Sequence, residues 1–178
     1  PTVTSAAPVN ASTDKIRVKI STVAHASTYT VVVYASGVES TRVENFTTAS
    51  AGDIISGLTA GTAYVVKVYA VGDGISYSDS AQDTGTSVIT YPTPQTPVIT
   101  LSSSNVYVTA PQAISFTANT SVSDGGTLTY QWYHNGDVEI PQTFANYHES
   151  TSTLSEAGTY RVLITNTLNG NAVTAWSD

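Results

Sequence analysis

Three histidines, His25, His134 and His148, are the side chains best suited to act as general bases near neutral pH. They lie far apart along the chain, so a Ser–His–Asp device would have to be assembled in space. None stands in a G-x-S-x-G, H-E-x-x-H, P-loop or dinucleotide glycine pattern. We read them as loop or edge-strand residues. Asp137 and Glu139 are two apart and share a face if the segment is a strand. Two carboxylates can flank a glycosidic bond. After a hairpin turn, on a short edge strand, the same charges instead keep that edge from pairing with another chain. Asp73, Asp79 and Asp83 supply oxygen ligands of the kind calcium takes, but their spacing is not that of an EF-hand loop. The residues alone leave calcium near Asp73 open. No catalytic residue, metal ligand or cofactor is assigned, and the chain is read as non-enzymatic.

The remaining candidates are contact residues. Tyr107, Tyr133, Tyr147 and Trp176 could present rings to a protein or a sugar, because aromatic side chains make good anchors. Alternation turns Tyr133 away from its inward neighbour Trp132. Asp73, between Gly72 and Gly74, is placed at a loop tip. We take Asp73, Tyr133, Tyr147 and Trp176 as candidate ligand contacts. Asn10, Asn45 and Asn119 each begin a glycosylation sequon, which a chain this rich in Ser and Thr produces by chance.

Composition removes several functions. The 178 residues carry six cations against 13 carboxylates, a net charge of −7. Nucleic-acid binding needs a basic footprint, which is missing. The same deficit argues against attraction to an anionic lipid surface. No apolar run approaches the roughly 18 residues of a membrane span. There are no cysteines, hence no disulfides, thiolate nucleophiles or Cys-based zinc sites. The chain has no methionine and opens at Pro1, which we read as a segment of a longer, extracellular protein, monomeric in itself.

Strands must position these residues, because the hydrophobic period is two almost everywhere. Ile16, Val18 and Ile20 alternate with Arg17 and Lys19; Tyr64, Val66, Val68 and Ala70 alternate with Val65, Lys67 and Tyr69. By the same alternation Lys19 and Lys67 point outward, which argues against a core cross-link through either. Turn signals recur at short intervals, among them Gly72-Asp73-Gly74 and Asn135-Gly136. The fold class is all-β, two antiparallel Greek-key sandwiches. Pro92, Pro94 and Pro97 remove ladder donors and favour extended geometry, so a short linker is expected there, with domains at 1–91 and 92–178. Strands are expected near 2–9, 14–22, 28–35, 40–47, 52–57, 63–71 and 76–87. In the second domain they are expected near 97–101, 105–109, 112–120, 128–134, 137–141, 151–154, 158–167 and 171–177.

The run from Ile55 to Val71, with Leu58, Gly61 and Tyr64 at their spacing, resembles the E–F region of fibronectin type III domains. The resemblance implies a tyrosine corner at Tyr64 whose hydroxyl bonds back to backbone. It departs at Ile20, where that family has a core Trp. In the second half, Tyr130-Gln131-Trp132-Tyr133 followed by Asn135-Gly136 resembles an immunoglobulin-like strand C and its turn. Glu156-Ala157-Gly158-Thr159-Tyr160-Arg161-Val162 resembles the strand F motif, with Val162 in place of its Cys and Ala118 about where the first Cys would stand. That implies an Ala/Val contact against Trp132 instead of a bridge. Arg161 is expected to pair with an acidic neighbour.

Taken together, these likenesses imply a non-catalytic interaction or spacer module of a secreted or cell-wall-attached bacterial protein, contacting a protein or glycan at a cell surface. The alternative is a carbohydrate-binding accessory region of a polysaccharide-degrading enzyme, which requires exposed aromatics in a coplanar row.

Overall fold

The computed structural model describes residues 1–46, 51–103, 105–138, 143–150 and 153–178. They form antiparallel sheets with no α-helix among the described residues. The chain divides into two compact units, Pro1–Thr93 and Pro94–Asp178.

Unit 1 contains β1 (Val3–Pro8), β2 (Ile16–Ile20), β3 (Thr28–Ala35), β4 (Val38–Phe46), β5 (Asp53–Ile55), β6 (Ala63–Val71) and β7 (Thr86–Ile89). One sheet has the order β1-β2-β5 and the other β4-β3-β6-β7. The period-two pattern decides what lies between them. Ile16 and Val18 of β2 and Ile55 of β5 meet Val31 and Val33 of β3 and Val66 and Val68 of β6 in one buried cluster. Each such side chain contributes roughly 1.5–3 kcal/mol when fully removed from water. Ile20, at the family's Trp position, is half-buried and packs against the rim of this cluster.

Unit 2 contains β8 (Val98–Leu101), β9 (Ile114–Ser121), β10 (Thr127–His134), β11 (Asp137–Val138), β12 (Asn146–Glu149), β13 (Tyr160–Leu168) and β14 (Asn171–Trp176). Its sheets run β12-β9-β8 and β11-β10-β13-β14. The two units therefore share one strand plan: first, second and fifth strands in one sheet, fourth-third-sixth-seventh in the other. The core of unit 2 is smaller and more aromatic, with Ala118, Trp132, Tyr147, Val162 and Ile164 buried. The Ala118 and Val162 side chains occupy this cluster with Trp132, the apolar contact expected of them. Asn135 and Gly136 both have positive φ, 51° and 94°, which is the type I′ geometry expected of that hairpin.

Three strand expectations are corrected. The run 76–87 is strand only from Thr86 onward, as β7. The run 105–109 joins no sheet. The expected strand at 151–154 is replaced by β12 at Asn146–Glu149 and a 3₁₀ turn at Leu154–Glu156, with 151 and 152 outside the described residues. Of the run 137–141, β11 covers Asp137–Val138 and the rest lies outside the described residues.

Candidate interaction surface

The residues that carried the family resemblances hold corners of the two sandwiches. Leu58 and Tyr64 are buried in the core of unit 1. The Tyr64 hydroxyl accepts the Thr59 N–H at 2.8 Å. Gly61 has φ +60°, a turn conformation open to glycine, and donates its N–H to the Tyr91 carbonyl at 3.1 Å. In unit 2, Trp132 is fully buried and donates its indole N–H to the Phe144 carbonyl at 2.9 Å. The Tyr160 hydroxyl donates to the Glu156 carbonyl at 2.8 Å. A Cβ on Gly158 would come within 2.2 Å of Asn135 Oδ1, which is already accepting the Thr159 N–H.

The acidic candidates of unit 1 serve the backbone. Asp73 Oδ1 accepts the N–H groups of Tyr77, Ser76 and Ile75 at 2.8, 2.8 and 2.9 Å. These bonds, that of Tyr77 first, hold its carboxyl below the usual aspartate range. Asp79 Oδ1 accepts the Gly72 N–H, and Asp83 accepts those of Val68 and Val3. Each carboxylate thus closes a different stretch of chain. Among the described residues no group of three or more metal-ligating side chains converges. Asp137 is exposed on β11, and Glu139 lies outside the described residues.

Two of the histidines are stacked on tyrosine rings of their own units. His25 stacks on Tyr77 with ring centroids 4.4 Å apart, in unit 1. His134 stacks on Tyr160 at 4.4 Å in unit 2, and His148 is exposed on β12.

Of the aromatic candidates, Tyr147 is corrected. It is 2 % exposed and packs on Trp132, Phe116 and Tyr160, because β12 pairs with β9 and turns this ring into the core. Tyr107 is almost wholly exposed, but on the segment that joins no sheet. Near it a cavity of about 870 Å³ opens, with Leu101, Ile114, Phe116 and Tyr160 among its walls.

Tyr133 and Trp176 do come together. Register pairs Tyr133 with Arg161 and with Val138, and Leu163 with Trp176, so all five project from the outer face of the four-stranded sheet of unit 2. Tyr133 and Trp176 rings lie 4.9 Å apart at 59°. Their tilt differs from the coplanar row that a polysaccharide platform requires. The Arg161 guanidinium lies over the Trp176 ring at 5.0 Å and donates Nε–H to the Ser177 carbonyl at 3.2 Å. Its expected acidic partner is thus replaced by an indole face and a carbonyl. Arg161 was legible as an outward residue from its alternation with Val162, but its place over Trp176 depends on strand register.

No family model matches the chain, and no curated protein matches it. Solved structures similar to it include the chicken CNTN1 FN1–FN3 domains, at 13 % identity and a TM-score of 0.48. That match covers 99 % of this chain, which spans 64 % of the length of the CNTN1 chain. A two fibronectin type III domain segment from chicken tenascin matches at 13 % identity and a TM-score of 0.41, covering 99 % of both chains.

Proposed function

We propose that the chain is a non-catalytic interaction and spacer module of a larger secreted or cell-surface bacterial protein. The observation that carries this reading is the open aromatic face of unit 2, where Trp176 is 46 % exposed beside Tyr133 and Arg161. Trp, Tyr and Arg are the residues most often found at the energetic centres of interfaces. The acidic groups that would suit chemistry in unit 1 are instead committed to backbone N–H groups, which supports a scaffold role.

The test has two arms. Labelled chain is applied to arrays of cell-surface proteins and glycans, and incubated with panels of ester, glycoside and peptide substrates. Saturable binding to an array member without turnover is the expected result. Turnover abolished by replacing His25, His134 or His148 would overturn the non-catalytic reading.

A further inference from the structure

Arg161 is the only Lys or Arg of unit 2, against six carboxylates, a net charge of −5 for that unit. This lone cation is exposed, and it stands among the aromatic and apolar side chains of the outer sheet face. Its Nε–H is used by Ser177, and the indole of Trp176 supports one face of the guanidinium. Among the described residues no acceptor takes its terminal N–H groups, which can meet a ligand. Among the described residues no carboxylate pairs with it. A planar guanidinium fixed by stacking presents its donors as a fork, the geometry that matches a carboxylate.

The corresponding face of unit 1 shows the contrast. There Arg42 pairs with Glu39 through Nε and Nη2, at 3.0 and 2.9 Å, and reaches the Tyr69 hydroxyl at 3.2 Å. Lys67 lies over the Tyr34 ring at 5.7 Å. Val32, on that outer face between register partners Arg42 and Lys67, is fully buried. The cations of that face are closed on partners within their own unit. In unit 2, Val138 is 47 % exposed and Trp176 46 %, and among the described residues the cation has no acid partner.

We infer that the outer face formed by Tyr133, Val138, Arg161, Leu163 and Trp176 docks a protein partner through a single carboxylate side chain set among apolar residues. The charge of the unit selects this occupant. A polyanion would meet the −5 field before it reached one guanidinium, whereas one carboxylate flanked by apolar groups gains the fork at short range and covers the rings. The inference rests on the interaction reading above and names the chemistry of its partner.

The test is an NMR titration of the whole 178-residue chain, following the Arg161 Nε–H and Trp176 Nε1–H resonances. The probes are the acetylated, amidated pentapeptide Thr-Phe-Glu-Leu-Thr, its twin with Gln for Glu, and poly-L-glutamate. The Glu peptide is expected to shift both resonances saturably and to bind at least tenfold tighter than the Gln peptide, with only a weak response to poly-L-glutamate. Arg161→Gln should erase the difference between the peptides, Arg161→Lys should keep part of it, and Lys67→Gln should leave it intact. Amide spectra of each variant report whether the sheet is still folded. Equal binding of the two peptides would overturn the carboxylate while leaving an interaction face. Silence of both resonances with both peptides would overturn the docking surface, while array binding would still decide the broader reading. A stronger response to poly-L-glutamate would overturn the choice of a single carboxylate.

Discussion

The phenolic oxygen of Tyr64 sits 2.8 Å from the backbone nitrogen of Thr59 and accepts its hydrogen. The ring itself is 3 % exposed, so the bond lies at the edge of a closed core. Tyr64→Phe keeps the ring and removes the acceptor. Leaving a partly buried donor unmet costs about 1–3 kcal/mol. Equilibrium denaturation of the variant should show a loss in that range, and the Thr59 amide should exchange with solvent faster than in the parent.

Asp83 holds the two sheets of unit 1 to one another. Oδ1 accepts the N–H of Val68 on β6, and Oδ2 that of Val3 on β1, both at 2.9 Å. Hydrogen bonds to charged groups contribute about 1.5–3 kcal/mol each. Asp83→Asn puts an NH₂ against one of the two N–H donors, so one bond is lost and a donor is left facing a donor. Denaturant unfolding should register a loss of about 2–3 kcal/mol. Asp83→Ala should cost at least as much, with both the Val3 and Val68 amides losing protection, whereas in the Asn variant one of the two should lose it.

The same contacts explain why the run 76–87 was misread as one long strand. Its Ser and Asp residues fall at positions where a strand would offer backbone groups. Here Asp79, Ser80 and Asp83 offer side-chain oxygens to the N–H groups of Gly72, Ala70 and Val68 instead. The backbone N–H groups of Ser80 and Asp83 still donate to the Ala70 and Val68 carbonyls, so half of the pairing is backbone and half is side chain, which a period-two pattern does not register. By contrast, β3 and β6 were legible to the residue: in β6 burial alternates without interruption, and in β3 the β-branched run Thr30–Val33 marks the strand although Val32 is buried as well as Val31 and Val33. Tyr147 was missed as a core ring because its neighbours Asn146, His148 and Glu149 are polar, which leaves a strand of four residues with one apolar member. The outer face of unit 2 was half legible. Alternation turned Tyr133 outward, but the meeting of Tyr133, Arg161 and Trp176 needs β13 between β10 and β14, an order that no local pattern encodes.

Trp132 anchors a core that has no bridge. It is fully buried, touches Phe116 and Tyr147, and satisfies its indole N–H at Phe144. Removing a large buried aromatic costs about 3–5 kcal/mol. Trp132→Ala should lower the stability of unit 2 by that amount. Trp132→Phe, which keeps a ring but abandons the Phe144 carbonyl, should cost less. Chemical denaturation followed by resolved amide signals of β13 would measure both.

Asp73 makes the loop Gly72–Tyr77 sensitive to acid. Its carboxylate collects the N–H groups of Tyr77, Ile75 and Ser76, and those bonds favour the charged form, so its folded pKa lies below the ordinary value. A depressed folded pKa means that the contribution is fully present above the unfolded value, about 3.9 for aspartate. It is lost as pH falls through the lower folded value. The loop should therefore remain closed through neutral and mildly acidic pH and loosen only below the ordinary aspartate range. In a pH titration followed by amide NMR, the protons of Ile75, Ser76 and Tyr77 should move together, toward values typical of weaker hydrogen bonds, with one midpoint below the ordinary aspartate range. Asp73→Asn should abolish that shared transition and leave the three amides near their low-pH positions at neutral pH. Three separate midpoints, or an unchanged transition in the Asn variant, would show that some other group controls the loop.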